Sequence, residues 1–166
     1  MNEILLICGS PSDLPIMKAS KMHEVFEACG LDVKPNVFSA HRNPEELRTF
    51  LSSLGTWPLA AICVAGMTNA LAGVVVGFYK GIVPVIGVAL SSPPLDGMDA
   101  LLSCTRMPPG RPVLCSGIDK PGLYNAAIAA CAIVGQSTRL HNLASYLERS
   151  NKKPQTNVDW ATIDAK

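Results

Sequence analysis

The sequence that decides the fold is ILLICGSPSD, residues 4–13. Five apolar residues come first, followed by a glycine and serine turn and by Asp13 at the polar start of the next segment. From Asp13 to Cys29 apolar residues recur at helical spacing, and Gly30 is a typical C-terminal cap, so we predict a helix there. A strand, a tight turn and a helix in this order begin a βαβ unit.

The same alternation continues along the chain. Further apolar runs lie at residues 33–38, 59–65, 84–90 and 111–115, mostly separated by segments long enough for helices. Pro35 places the second strand near a sheet edge, because proline lacks the backbone donor that a central strand needs. The pattern predicts an open parallel sheet with helices on both faces, of the flavodoxin-like or Rossmann-like kind.

Helix signals fill the gaps between these runs. Asn43 is a candidate N-cap, Pro44 suits a first helical turn, and acidic residues follow, so a helix is predicted to begin there. Residues 123–134 and 137–148 are predicted as two further helices. A polar tail with one aromatic residue, Trp160, ends the chain.

Length and composition exclude several classes of protein. A chain of 166 residues that is 48% hydrophobic and 16% charged, with mean hydropathy +0.26, suits one folded domain and not a disordered segment. A net charge of +1 provides no field to attract nucleic acid or an anionic membrane. The uncharged stretch 49–79 is interrupted by glycine and polar residues, so we predict no membrane span.

The six cysteines are scattered without a C-x-x-C pair, and most lie in apolar runs. This usage favours a reducing cytoplasm, as does the absence of a basic region ahead of the first apolar stretch. No histidine lies near paired cysteines, so no metal site is predicted. The small aromatic fraction, 5%, leaves few large side chains for a core, so we expect subunit contacts to supply the remainder.

Ligands of open α/β sheets bind beyond the carboxyl ends of the strands, so the residues after each apolar run are the informative ones. The first such turn contains Gly9, Ser10, Ser12 and Asp13. Its backbone amides and hydroxyls suit a phosphate. Alternatively, its serine and aspartate only cap the helix.

The second turn contains Ser39, Ala40, His41 and Arg42. Histidine transfers protons near neutral pH, and a guanidinium binds phosphate or carboxylate through a fixed fork of donors. The alternative is that His41 only hydrogen-bonds the loop. The other histidines, His23 and His141, fall inside predicted helices and are weaker candidates.

The third turn contains Gly66, Thr68, Asn69, Ala70 and Leu71. Glycine lets the main chain approach a ligand closely, and the polar pair can hydrogen-bond it. The alternative is an ordinary capped turn. A fourth segment, residues 96–99 with 105–110, is either a loop that closes over the site or a surface connection.

Taken together, these turns resemble the PurE family of purine biosynthesis from about residue 4 to about residue 134. The matching motifs occur in the family's order. They are Gly-Ser-x-Ser-Asp at 9–13, Ser-Ala-His-Arg-x-Pro at 39–44, Ala-Gly at 65–66, Pro-Val-Ile-Gly-Val at 84–88, Leu-x-Gly-x-Asp-x-Leu-x-Ser at 95–103, Met-Pro-x-Gly at 107–110 and Asn-Ala-Ala at 125–127.

The resemblance implies a three-layer α/β/α sandwich with an additional C-terminal helix and tail, assembled as an octamer. Residues 1–150 are expected to form one domain, and residues 151–166 to pack on a neighbouring subunit. In similar proteins the first turn holds the ribose and phosphate, the second turn forms the other wall of that pocket, and His41 matches the general acid and base. The loop from Gly66 matches the one that receives the imidazole and the one-carbon unit.

The same loop distinguishes two activities in the family. Residues 65–71 are similar to Ala-Gly-Arg-Ser-Asn-x-Leu of the carboxylases, although Met67 replaces the arginine. Ala72 stands where the mutase branch has a histidine, whereas residues 84–102 are more similar to the mutase pattern. We therefore expect a carboxylase, a lyase that adds carbon dioxide to C4 of 5-aminoimidazole ribonucleotide without a cofactor. The alternatives are the carboxyaminoimidazole ribonucleotide mutase, an isomerase, and a nucleotide-binding module without catalysis.

Overall fold

In the computed structural model, which describes residues 3–150, five parallel strands alternate with seven helices. The strands are β1 (Ile4–Cys8), β2 (Pro35–Val37), β3 (Ala60–Gly66), β4 (Val85–Leu90) and β5 (Val113–Ile118). The helices are α1 (Leu14–Ala19), α2 (Met22–Ala28), α3 (Pro44–Ser53), α4 (Ala70–Phe78), α5 (Met98–Thr105), α6 (Asp119–Val134) and α7 (Ser137–Ser150). The strand order is β2-β1-β3-β4-β5, so the strand with Pro35 is at an edge, as predicted.

The sheet is covered on both faces, which confirms the three-layer α/β/α sandwich. Along β1, Leu6 and its alternate neighbours belong to a core that includes side chains of α1, α2, α6 and α7. Leu5 and Ile7 point to the opposite face and belong to a second core with α3, α4 and α5. Because successive strand residues alternate between faces, a strand buried on both sides must be apolar throughout.

The predicted helix from Asp13 to Cys29 is divided in two. Lys21 has a left-handed backbone with φ 62°, and the Ser20 hydroxyl donates to the Met17 carbonyl at 2.6 Å and accepts from the Met22 amide at 3.3 Å. The serine side chain thus replaces backbone bonds at the break. Met17 and Met22 remain buried on the same side of the sheet, so periodicity alone does not reveal the interruption.

The predicted boundaries are wrong at the last strand and the helix after it. β5 continues to Ile118 and α6 begins at Asp119, earlier than the expected residue 123. The intervening Pro121 is tolerated because the first helical turn needs no backbone donor there. Gly122 packs on Gly117. A Cβ atom on Gly122 would lie 2.6 Å from the backbone carbonyl of Gly117.

Parallel strands direct all their carboxyl ends to one edge of the sheet, and the connecting turns there enclose a cleft. No helix between residues 3 and 150 is long and apolar enough to cross a membrane. The expected packing of residues 151–166 lies outside the described residues.

Candidate functional site

A cleft of about 820 Å³ lies at the carboxyl edge of the sheet. It brings together every residue predicted for the site: Gly9, Ser10, Ser12, Asp13, Ser39, Ala40, His41, Arg42, Gly66, Thr68, Asn69, Ala70 and Leu71. Its size is within the range of small-molecule sites. Residues 96–99 and 105–110, the fourth predicted segment, do not line it.

The serine turn, residues 9–13, forms part of one wall through its own hydrogen bonds. The Ser10 hydroxyl accepts from the Ser12 amide at 3.3 Å and from the Ser12 hydroxyl at 2.7 Å. In return, the Ser10 amide donates to Oδ2 of Asp13 at 2.9 Å, which completes a capping box around a 3-10 turn at Pro11–Asp13. The capping alternative is therefore observed, and it occurs in residues that also face the cleft.

Burial raises the pKa of two groups, Asp13 in this turn and Cys8 just before it. It raises the pKa of Asp13 above its ordinary value, while hydrogen bonds from Ser10, Ser12 and Gly9 and the positive charge of Arg42 oppose the rise. Burial and the nearby Asp13 raise the pKa of Cys8 to about 11, so this thiol stays protonated at neutral pH and is not a nucleophile.

The histidine segment, residues 39–43, continues the same wall. The Ser39 hydroxyl accepts from the backbone amides of His41 and Arg42 at 3.4 and 3.2 Å. Asn43 does not cap α3 with its side chain, because its Oδ1 accepts from the Ser39 amide at 2.7 Å instead. These bonds fix the backbone of the segment, and His41 lies exposed on it, lining the cleft.

One hydrogen bond joins these two parts of the wall. Nη2 of Arg42 donates to the Gly9 carbonyl at 3.1 Å, across the ends of β1 and β2. Gly9 is also packed closely, since a Cβ atom there would lie 3.2 Å from Cβ of Ala65. The guanidinium keeps its other donors available to a ligand.

The glycine loop, residues 66–69, is shaped by its backbone and not by local side-chain bonds. Met67 and Asn69 have left-handed conformations, with φ of 53° and 33°. Asn69 is only 3% exposed, and its Nδ2 donates to the Val88 carbonyl at 3.0 Å and to Sγ of Cys104 at 3.3 Å. Both amide hydrogens of Asn69 are thus used within the protein, which leaves its Oδ1 without a partner among residues 3–150.

Behind the glycine loop, the main chain packs against β4. A Cβ atom on Gly66 would lie 3.2 Å from the Leu90 carbonyl and 3.5 Å from Oγ of Ser92. Ala70 and Leu71 begin α4, and no Asn69 side-chain bond caps that helix. Both residues line the cleft, so the helix N-terminus with its uncapped backbone amides and positive field lies at the cleft.

Sequence reasoning missed three polar cleft residues: Ser91, Ser92 and Asp119. The Ser91 amide donates to Oδ1 of Asp119 at 2.8 Å, and the Ser91 hydroxyl donates to Oδ2 at 2.6 Å. Both serines follow the fourth apolar run directly, so the rule that selected the other turns would have found them. Asp119 was missed because the end of β5 was predicted too early.

Comparison with known proteins places the chain in a family. A sequence profile of the family described as AIR carboxylase matches residues 3–157. Proteins named N5-carboxyaminoimidazole ribonucleotide mutase are 42% identical over 136 residues in Pyrococcus abyssi, covering 81% of this chain and 74% of that protein. In Methanocaldococcus jannaschii the identity is 38% over 152 residues, covering 90% and 91%.

A solved structure agrees with these sequences. The crystal structure of Treponema denticola PurE matches with a TM-score of 0.74 and 28% identity, covering 89% of this chain and 90% of that one. The fold class predicted from the turns and apolar runs is therefore confirmed by an independent chain.

The same findings correct the expected activity. The expectation of a carboxylase, a lyase, is wrong: the curated relatives are named as mutases, among them the Escherichia coli K12 protein, 36% identical over 132 residues. That expectation depended on residues 65–71, a short stretch in which Met67 already departed from the carboxylase pattern. Agreement over most of the chain outweighs this loop, and the chain belongs to the PurE family.

Proposed function

We propose that this protein is an N5-carboxyaminoimidazole ribonucleotide mutase, an isomerase of purine biosynthesis. It would move the carboxylate of its substrate from the exocyclic nitrogen to ring carbon C4. The observation that carries the proposal is the convergence of the serine turn, the histidine segment and the glycine loop on one cleft, in a chain whose curated relatives bear this name.

The phosphate and ribose would bind at the wall made by the serine turn and the histidine segment. Arg42 supplies the positive charge there, and its bond to the Gly9 carbonyl holds the guanidinium in place. The hydroxyls of Ser10, Ser12 and Ser39 add short polar contacts, and Ala40 leaves room for the sugar. Asp13 would accept hydrogen bonds from the ribose hydroxyls.

In the reaction, the carboxyl group moves from the exocyclic nitrogen to C4. The nitrogen gains a proton and C4 loses one. The bond between the carbamate carbon and the exocyclic nitrogen breaks, the nitrogen takes a proton, and carbon dioxide is released within the cleft. Electron density from the resulting amine makes C4 nucleophilic, and C4 forms a bond to the same carbon dioxide. C4 then carries both a hydrogen and the carboxylate, and loss of that proton restores the aromatic ring.

We assign both proton transfers to His41. It would give a proton to the nitrogen and take one from C4, and so return to its initial state within each turnover. His41 suits this role because it lines the cleft on a segment whose backbone is fixed by the Ser39 hydroxyl.

The glycine loop would hold the migrating carboxyl group. Gly66 allows the main chain to approach it, and Thr68 together with the first amides of α4, at Ala70 and Leu71, donates to the developing negative charge. Asn69 contributes by fixing this loop to β4 from within. Holding the released carbon dioxide beside C4 is the main catalytic task, because the step then becomes effectively intramolecular.

The remaining features of the proposal concern the whole protein. Residues 1–150 would act as one domain, and the protein would work in the cytoplasm. It would need no cofactor, because an isomerisation of this kind needs neither an oxidant nor an external energy source. An octamer is proposed, with residues 151–166 packed on a neighbouring subunit. Sedimentation of the purified protein would measure the subunit number directly.

A paired-substrate assay tests the proposed activity. The purified protein is supplied either with the carbamate substrate or with 5-aminoimidazole ribonucleotide and bicarbonate, and the formation of the C4 carboxylate is followed by absorbance. Turnover of the carbamate at low bicarbonate is the expected result. Turnover only of the amine with bicarbonate would overturn the proposal, and ribonucleotide binding without either conversion would instead support a binding module.

A further inference from the structure

A further charged residue of the cleft, Asp119, lies on the far side from Arg42 and Asp13. Arg42 follows β2, at one edge of the sheet, and Asp119 follows β5, at the other edge. The Arg42 guanidinium reaches the Gly9 carbonyl at the end of β1, and the Asp119 carboxylate reaches Ser91 at the end of β4. Since neighbouring strands lie about 4.8 Å apart, the two strand steps between these charged groups amount to roughly 10 Å. Both residues nevertheless line the same cleft. One end of the cleft therefore holds the Arg42 guanidinium beside Asp13, and the Asp119 carboxylate makes the other end negative.

Asp119 is held in a defined position at its end. Its two carboxylate oxygens each accept one bond from Ser91, at 2.8 and 2.6 Å. A carboxylate has about four acceptor sites, so roughly two stay available to a ligand. The backbone at Asp119 is left-handed, with φ 51°, a conformation in which glycine is favoured.

The negative end adjoins the glycine loop. Ser91 is followed by Ser92, whose Oγ lies 3.5 Å from the position of a Cβ atom on Gly66. Gly66 in turn pairs with Leu90, the residue immediately before Ser91. The Asp119 carboxylate is thus connected, through one serine pair, to the loop that the proposed function assigns to the ring and the migrating carboxyl group.

Charge decides which part of a nucleotide each end accepts. A phosphate is attracted to the Arg42 end and repelled by Asp119. Asp13, the acid near Arg42, is already engaged by the Ser10 amide and lies in the field of that guanidinium. A carboxylate without a cation is suited to an uncharged N–H or O–H donor, and the exocyclic amine is the donor carried by the ring.

We propose that Asp119 is a specificity-determining residue of this cleft. Its carboxylate accepts a hydrogen bond from the exocyclic nitrogen of the imidazole ribonucleotide, and its charge excludes the phosphate from that end. The inference rests on the proposed function, because it takes the ribonucleotide as the ligand. It adds a contact on the fifth strand, which neither the serine turn, the histidine segment nor the glycine loop supplies.

Calorimetric titration with 5-aminoimidazole ribonucleotide tests this contact. Asp119→Asn removes the charge and keeps the shape, and Asp119→Gly also suits the left-handed backbone, so both variants are expected to fold. Each should weaken binding of the ribonucleotide by roughly 10- to 100-fold, the scale of a hydrogen bond to a charged group. Binding of ribose 5-phosphate, which lacks the ring, should change by less than about 2-fold on the same scale.

Two further variants separate a ligand contact from a structural role. Ser91→Ala removes the hydroxyl bond to Asp119 but leaves the carboxylate, so it should weaken ribonucleotide binding less than Asp119→Asn does. Asp96→Asn is the matched control, because Asp96 is also left-handed, with φ 48°, and lies outside the cleft. Only its backbone carbonyl contacts Ser91, at 3.1 Å from the hydroxyl, and the substitution leaves that carbonyl in place. It should bind the ribonucleotide as the unchanged protein does.

Three outcomes would overturn the inference. They are an unchanged dissociation constant in both Asp119 variants, an equal loss of ribose 5-phosphate binding, or the whole loss reproduced by Ser91→Ala. Failure of the unchanged protein to bind any ribonucleotide would instead contradict the proposed function. The two failures are therefore distinguishable in the same set of titrations.

Discussion

The two walls of the cleft are built in different ways. The first wall consists of the serine turn and the histidine segment. Within each of these two segments the side-chain hydrogen bonds join residues at most four positions apart, and one bond, from Arg42 to the Gly9 carbonyl, joins the segments to each other. The second wall is the glycine loop, which is fixed by Asn69 to residues 19 and 35 positions away in the chain. The first wall is thus organised locally, and the second depends on the assembled sheet.

The two walls also differ in the role of their polar side chains. Those of the first wall face the cleft, and the main polar side chain of the second wall supports the loop backbone. The side chains of the first wall cap their own turns and still present His41 and Arg42 to the cleft. In the second wall, the most polar side chain, Asn69, is buried and serves the loop backbone. We therefore expect substitutions in the first wall to change turnover or local electrostatics, and substitutions in the second wall to change stability and turnover together.

The largest effect is expected from His41→Asn, because His41 is the proposed proton carrier of the first wall. If the first wall had only a structural role, this substitution would leave turnover unchanged. Turnover of the carbamate substrate should fall by a factor on the order of a hundred or more, the usual scale for a proton-transfer group, while ribonucleotide binding is retained. Steady-state kinetics and calorimetric titration measure the two quantities. His23→Asn is the control, because His23 is exposed on α2 and away from the cleft. Near-normal turnover in His41→Asn would remove this residue from the mechanism.

An intermediate effect is expected from Asn69→Ala, in the second wall. Loss of the bond to the Val88 carbonyl leaves a buried acceptor unpaired, so the free energy of unfolding should fall by about 1–3 kcal/mol. Because the glycine loop then loses its anchor, kcat/KM should also fall, on the order of 10-fold or more. Urea unfolding and steady-state kinetics check both expectations.

Asn36→Ala is the matched control for this substitution. Nδ2 of Asn36 also donates to a backbone carbonyl, that of Leu6 at 3.1 Å, but Asn36 lies outside the cleft. This variant should lose stability without losing kcat/KM at a temperature where it is folded. Equal kinetic losses in the two variants would mean that Asn69 has no special connection to the site.

The smallest effect is expected from Asp13→Asn, which tests how burial in the first wall changes the pH dependence of stability. Because burial raises the pKa of Asp13 above 3.8, the folded protein binds this proton more tightly than the unfolded chain does. The stabilising contribution of the protonated form is complete at pH values below 3.8 and is lost as the pH rises through the raised folded-state pKa. Asparagine cannot titrate, so the unchanged protein should lose stability relative to Asp13→Asn across that window.

Thermal unfolding of both proteins through the acid range measures this difference. Asp32→Asn is the control, because Asp32 is an exposed residue outside the cleft. A difference between unchanged protein and Asp13→Asn that stays constant with pH would contradict the assigned effect of burial.

Much of the fold followed from local patterns. The apolar runs predicted each strand, Pro35 predicted an edge, and the strand-end rule assembled the cleft residues that were chosen. Ser91 and Ser92 were missed because the rule was not applied to the end of the fourth strand. Asp119 was missed because the end of the fifth strand was predicted too early. The break at Lys21 was not predicted, because the buried face of the helix continues across it.

The sequence by itself determined the parallel α/β architecture and the family, because both depend on the order and spacing of neighbouring residues. Only the tertiary structure decided that Asn69 is a buried support and that Asp119 shares a cleft with Arg42. Those two facts depend on which strands become neighbours and how closely their turns pack. Such contacts join residues far apart in the chain, and no local pattern of residues encodes them.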